Sequence, residues 1–367
     1  IVRFFEMDED YTKRPPNEKI LAALKPERAA TGGAGTLIVL NKSDATAVLI
    51  DLESGDLVAT LPTGTAPHEV AVSPDGRTAV ATNYGGEVAG SSLTVIDVPS
   101  ARVEKTIDLG DYRRPHGIVY LGDGVHVVVT AEDNQSLLTV HVPSGRVANA
   151  VRTGQETSHM VVVTPDGARA FVPNIGSGSV SVIDLKAGQL IRNIATGAGA
   201  EGIAITPDGG EVWVTNRSAD TVTVIDAATL EIISELGSKS FPIRAKSTPD
   251  GRHVLVSNAR TGDVAVFDAA TKKEVRRVTM EFSAKSTEGR LFGSVFGQSP
   301  VPIGILVRPD GKRAYIANTN ADRVSIVDLE NWTTIGILEP GKQPDGLGYS
   351  RLSVRRAEVS SSVSGRP

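Results

Sequence analysis

The chain repeats itself, and the repeat leaves few folds open. Aligned on one position, the sequence yields a column of His68, His116, His159, Glu201, Ile243, Ile303 and Asp345, with spacings of 48, 43, 42, 42, 60 and 42 residues. Seven positions after each of the first six stands an aspartate followed by glycine: Asp75, Asp123, Asp166, Asp208, Asp250 and Asp310. All but Asp123 follow a proline, and Pro-Asp-Gly supplies the backbone angles of a tight turn. Fifteen positions after the column come Asn83, Ala131, Asn174, Asn216, Asn258 and Asn318. A further column holds Asp97, Asp184, Asp226, Asp268 and Asp328, with His141 as the odd member.

Each unit reads as four short strands. In one of them GIAITPDG is a strand and its turn, EVWVTN a second strand, TVTVID a third and EIISELG a fourth. Repeats of 40 to 45 residues with four strands each are the signature of propeller blades, and one such unit cannot bury both faces of its sheet alone. The chain opens on a unit lacking its first strand (TLIVLN, TAVLID, LVATLPTG) and closes on a first strand lacking its followers, Asp345 to Ser350. Six internal units and this composite make seven. The expectation is an all-β, seven-bladed β-propeller of four antiparallel strands per blade, closed by pairing the two chain ends. Closure removes the free sheet edges that invite aggregation. Residues 34–350 form the propeller in this reading. Residues 1–33 read as a strap with a short helix around Glu18 to Leu24, and residues 351–367 as a polar, loosely held tail.

The runs AVATN, VWVTN and AYIAN, each ahead of a VxVID-type strand, resemble the YVTN repeat of YncE-like seven-bladed propellers, over roughly residues 36 to 350. The resemblance implies the architecture but no single activity. Similar propellers include surface-layer proteins, exported proteins of unsettled function, lactonase-like enzymes and the propeller domains of copper and haem enzymes. It implies, with a first residue Ile1 rather than methionine, a periplasmic or extracellular protein.

Composition narrows the chemistry. The net charge of −5 gives no basic footprint for nucleic acid, and no apolar run is long enough for a membrane span. The absence of cysteine removes disulfides, thiolate catalysis and thiolate ligation. No Gly-rich phosphate loop, HExxH or nucleophile elbow is present.

Attention therefore falls on the histidine column. The start of each first strand lies at the mouth of a propeller's central channel, so His68, His116 and His159 meet there, flanked by Glu201 and Asp345. The remaining arc, Ile243 and Ile303, is apolar. Three imidazoles with Glu201 suit zinc, copper, nickel or iron, and three protein ligands leave a position open. Glu201 or Asp345 would then be a fourth ligand or general base. Asn83, Asn174 and Glu132, at the ends of second strands, are candidates to orient the rings. The plainer reading is that duplicated histidines hydrogen-bond neighbouring blades. Arg113, Arg114, Arg217, Arg244 and Arg260 gather on the same face, where guanidinium forks suit an anionic ligand; their plainer role is salt bridging between blades.

The asparagine and aspartate columns themselves suit strand ends and turns. His126 and His253 read as solvent-exposed, and His141 as replacing a structural aspartate. Two insertions, YGGEVAGSS after Asn83 and residues 280–300 with Phe282, Phe292 and Phe296, emerge on the face of the histidines. The function expected is binding of a metal ion, a small anionic ligand or a protein partner at this mouth by a monomer. The alternative is a metal-dependent hydrolase, lyase or oxidase.

Overall fold

The computed structural model describes residues 33–238, 240–284 and 288–354. The strap and helix expected in residues 1–32 and the tail from residue 355 lie outside them.

Seven four-stranded antiparallel sheets form the seven blades, as the repeats require. Six are contiguous in sequence. In the seventh the strand Pro344–Ser350 pairs with Thr36–Asn41, which continues through Thr46–Asp51 to Leu57–Pro62. Residues just past the last strand secure this closure. Thr36 Oγ1 donates to Leu352 O at 2.7 Å, Val354 N donates to Thr36 Oγ1 at 3.1 Å, and Val354 is buried.

The middle strands are apolar on both faces because each blade packs against two neighbours. Val80, Leu93 and Val95 of the first complete blade interlock with Val127, Val129 and Leu138 of the next. Tyr315, Val324 and Ile326 meet Leu37, Val39 and Val48 across the closing joint. The core is thus a set of layers between blades, built from β-branched residues that suit a pleated surface.

The repeated polar columns serve the scaffold. Asn174 Nδ2 donates to Ser179 and Ser181 Oγ, and Asn216 Nδ2 to Thr221 and Thr223 Oγ1, tying each second strand to its third. Asp97, Asp226 and Asp268 accept backbone N–H groups three residues on and so cap the outer turns.

Two features of the innermost strands set up the channel mouth. The first is a conformation repeated two residues before every member of the histidine column. Ala66, Arg114, Thr157, Gly199, Phe241, Val301 and Gln343 all have positive φ, between 47° and 76°. Six of the seven are not glycine, so the conformation costs energy that the surrounding ladder must hold. The second is a register shift beside the column, between Pro67 and Val70, Pro115 and Ile118, Ala200 and Ile203, Pro242 and Arg244, and Pro302 and Ile305. Such bulges re-aim side chains and take residues out of the ladder. His68, His116 and Glu201 fall inside them.

A candidate metal centre at the channel mouth

The bulges turn the column inward and close glycine contacts bring its members together. Gly117 N donates to His159 O at 2.9 Å, and a Cβ on Gly117 would stand 2.6 Å from Met160 Cα. Thr130 Oγ1, from the neighbouring strand, donates to the same His159 carbonyl at 2.6 Å. His116 is thereby laid against His159, with ring centres 3.6 Å apart and planes at 33°. His68 continues the row, 5.0 Å from His116. The three histidines expected to meet do so.

Their surroundings differ, and so do their charges. His159 places Nδ1 against Glu132 Oε1 and Nε2 3.3 Å from Glu201 Oε1. Burial works against its charge, but Glu132 first and then Glu201 outweigh it, so its pKa is raised. His116 is 1% exposed and has no carboxylate partner; burial, then the charge of His159, drives its pKa well below the usual imidazole value. His68 is partly reached by solvent at the mouth yet ringed by protein. Burial, followed by the charge of Lys42, lowers its pKa from 6.5 to about 3. Its Nδ1 is held by Ala66 O at 2.8 Å.

The flanking carboxylates are already engaged. Glu201 accepts from Arg244 Nη1 at 3.0 Å and pairs with Arg217. Burial pushes its pKa up, but His159, Arg217 and Arg244 together hold it down at about 2. A carboxylate so held is a counter-ion and a poor general base. Asp345 pairs with Lys42 Nζ at 2.9 Å, and its pKa is likewise lowered, burial being outweighed by Lys42 and His68.

Arg244 spans the mouth, reaching Glu69 Oε1 at 3.1 Å from the blade that carries His68. Arg217 lies 5.3 Å over the Phe241 ring, and Arg260 5.4 Å over Phe296. These two, with Arg244, are tied into ion pairs or aromatic contacts and do not converge on the histidines as an anion clamp. Arg114 stacks 4.9 Å over Tyr84 and lies 3.8 Å from Asp133; the Arg113 backbone N–H donates to Asn134 Oδ1. Asn83 is used by Ser92 and Thr94 of its own blade and by Gly64 of the connection that enters it. Asn174 is tied to Ser158, Ser179 and Ser181 in the same way.

Glu132, by contrast, sits at the centre. It holds His159 with one oxygen and accepts from the Tyr84 hydroxyl with the other at 2.7 Å. Tyr84, Lys42 and Glu69 were not singled out from sequence. Tyr84 begins the insertion after Asn83, and its ring stands 4.4 Å from His68 and 5.6 Å from His116. That insertion was the one signal available for it. Lys42 and Glu69 become visible only once the ring is closed.

The second insertion covers the apolar arc. Its short helix, Gly293–Phe296, packs Phe296 and Phe292 with Phe241 over Ile243 and Ile303. Arg290 pairs with Asp322, and Asn320 Nδ2 donates to Leu291 O at 2.8 Å, which pins it down. A surface depression of about 690 Å³ between two other blades is lined by glycine and small side chains such as Gly176, Gly197 and Ser218, with no ionisable group.

Among the described residues one cluster of three metal-ligating side chains could hold an ion: His116, Glu132 and His159, whose ligand atoms lie within 4.8 Å of one another. One of its ring nitrogens, His116 Nδ1, is buried without a hydrogen-bond partner, while His159 Nε2 makes no hydrogen bond but stands 3.3 Å from Glu201 Oε1. Buried polar atoms are nearly always partnered, so an orphan imidazole nitrogen within such a cluster fits an ion.

Fold and site together define a seven-bladed propeller with a buried imidazole–carboxylate cluster at one end of its channel. The resemblance carried by the repeats is borne out: the model of the YNCE-like beta-propeller family matches residues 122–290. Among solved structures, Kuenenia stuttgartiensis hydrazine synthase superimposes with a TM-score of 0.65 and 19% identity, over 76% of this chain and 88% of that one. A functionally unknown protein from Desulfotomaculum acetoxidans DSM 771 gives 0.71 and 12%, over 87% and 100%. At these identities the likeness is one of fold. No curated protein matches the sequence. No helix among the described residues is long and apolar enough to cross a membrane.

Proposed function

We propose that the chain is an exported propeller that binds a divalent transition-metal ion at its channel mouth, on His116, His159 and Glu132, with His68 alongside. The observation that carries this is the cluster of His116, His159 and Glu132, whose ligand atoms lie within 4.8 Å of one another and in which His116 Nδ1 is buried without a partner. Burial keeps His116 neutral, which leaves it the lone pair that a metal needs. His159 is a cation between two carboxylates, and an ion would take over the charge that its proton supplies. Imidazole and carboxylate ligands point to zinc, copper, nickel or iron. The Tyr84 hydroxyl fixes Glu132, as partners of metal ligands do.

The test is elemental analysis of tag-free protein, with His116→Ala and Glu132→Gln variants. Near-stoichiometric metal, lost in both variants while thermal unfolding stays cooperative, is the expected result. Protein that holds no metal and takes none up at neutral pH overturns the reading. The row would then be a buried charge network, with His159 neutralising Glu132 and Glu201. Metal-loaded protein that turns over small substrates, with turnover lost in the same variants, would make the site that of an enzyme.

A further inference from the structure

The blade that carries His116 holds two more histidines at its other end. His126 opens the strand His126–Ala131, His141 ends the strand Ser136–His141, and the two are paired directly across the ladder. At the opposite end of these strands Ala131 faces Ser136 and pairs with Pro115, next to His116. The pair therefore sits about 17 Å from the channel mouth, five residues at roughly 3.3 Å each.

The turn does not need a histidine there. The matching positions Asp51, Asp97, Asp184, Asp226, Asp268 and Asp328 each cap the same turn through Oδ1. His141 takes that place with Nδ1 2.8 Å from Ser144 Oγ and 3.3 Å from Ser144 N. Its cross-strand neighbour, at a position that is Thr36, Thr78, Arg169, Glu211 or Arg313 in five other blades and His253 opposite Asp268 in the sixth, is also a histidine.

The two ring centres are as far apart as those of two ligands of one ion would be. Their centres are 4.9 Å apart, with planes at 51°. With metal–nitrogen bonds of about 2.0–2.1 Å, an ion lies roughly 3.2 Å from each ring centre, and angles of about 90–109° then put the centres about 4.5–5.2 Å apart. His126 Nδ1 donates to Asp123 Oδ2 at 2.7 Å, which leaves the lone pair on Nε2. This is the carboxylate–histidine arrangement that orients metal ligands. His141 Nδ1 accepts the Ser144 N–H, so metal binding would require its ring proton to move from Nε2 to Nδ1, where it would donate to Ser144 Oγ. Both side chains are partly exposed, so an ion and its waters can enter.

We propose that His126 and His141 form a second, two-histidine site for a divalent transition-metal ion such as zinc, copper or nickel, with water completing the coordination and Asp123 positioning His126. The site is independent of the channel mouth and stands whether or not that centre binds metal.

Calorimetric titration of the full chain with nickel(II) tests it, comparing the parent with His126→Asn, His141→Asp and Asp123→Asn. The channel-mouth residues are intact in all four proteins, so whatever binds there is common to every isotherm. His141→Asp installs the residue that caps the same turn in the six other blades, so its fold is preserved. The expected result is loss of one binding equivalent in His126→Asn, at least tenfold weaker binding at that equivalent in His141→Asp, and about tenfold in Asp123→Asn. Metal-free melting temperatures should match across the set. An isotherm for His126→Asn or His141→Asp that superimposes on the parent overturns the proposal.

Discussion

Acid should destabilise this propeller through His68, by an amount that can be worked out. In the folded chain its pKa is lowered from 6.5 to about 3, first by burial and then by Lys42. The unfolded chain restores the ordinary value, so between those limits the unfolded state binds a proton that the folded state refuses. A folded pKa below the unfolded one means stability that is present above pH 6.5 and lost as pH falls toward 3. Taken in full, the shift costs about 2 kcal/mol on going from roughly pH 7 to pH 5. Solvent reaches part of the ring at the mouth, so about 1–2 kcal/mol is the figure to test. The perturbation is His68→Gln, which keeps a polar group near Ala66 O but removes the titration. The assay is urea unfolding of chelator-treated protein at both pH values. The parent should lose about 1–2 kcal/mol more than the variant between them. Equal losses in the two proteins would refute the argument that a buried, neutral imidazole sits at position 68.

The other members of the network respond differently. His159 has a raised pKa, so its contribution is present below the unfolded value of 6.5 and fades as pH rises through the folded one. Metal binding at neutral pH should therefore release a proton from it, seen as a dependence of calorimetric heat on the ionisation enthalpy of the buffer. Arg244→Met leaves Glu69 and Glu201 buried without their shared partner and should cost about 3–5 kcal/mol in urea unfolding; adding Glu201→Gln should recover part of it. Gly117→Ala forces a Cβ to 2.6 Å from Met160 Cα, and separating the two innermost strands should cost about 1–3 kcal/mol and weaken any metal bound at His116 and His159. Tyr84→Phe frees Glu132 Oε2 and should weaken metal binding about tenfold with little change in melting temperature.

The architecture was legible because it is written seven times. A turn signal at fixed spacing and an asparagine closing the second strand each survive in six of the seven units, so an error in reading one blade is corrected by the next. The meeting of His68, His116 and His159 followed from the same periodicity. Pairing across the ring is another matter. Arg244 and Glu69 are 175 residues apart, and Lys42 meets Asp345 only because the ends close on each other. Nothing local marks such pairs, so the arginines were expected to be available to an anion when Arg217 and Arg244 are in fact neutralised by carboxylates. The bulges were invisible for a similar reason. They come from the curvature of the innermost strands, and they decide that His68 and Glu69 leave the ladder while Val70 rejoins it. Asn83 carried the same signal as its fellows in the column and plays the same scaffold role; Glu132, standing just after the one unit that lacks this asparagine, was freed for another.

The division of the mouth into two arcs explains why one column produces three differently charged imidazoles. Ile243 and Ile303 sit under Phe241, Phe292 and Phe296, so the side of the mouth facing Glu201 is dry and weakly polarisable. Arg217 stands at the border, its guanidinium over Phe241 and its Nη1 on Glu201. In such surroundings an ion pair is strong and an unpaired charge is costly, so Glu201 stays ionised by holding Arg217, Arg244 and the edge of His159 together. His159, between Glu201 and Glu132, gains a proton. His116, stacked on that cation and given no carboxylate of its own, loses any chance of one. His68, next along, faces Lys42 as well as Asp345 and is kept neutral too. The charge pattern therefore runs outward from Glu201, at the border of the covered arc, to His159, His116 and His68. Two neutral imidazoles beside one replaceable proton are the arrangement a divalent ion would need.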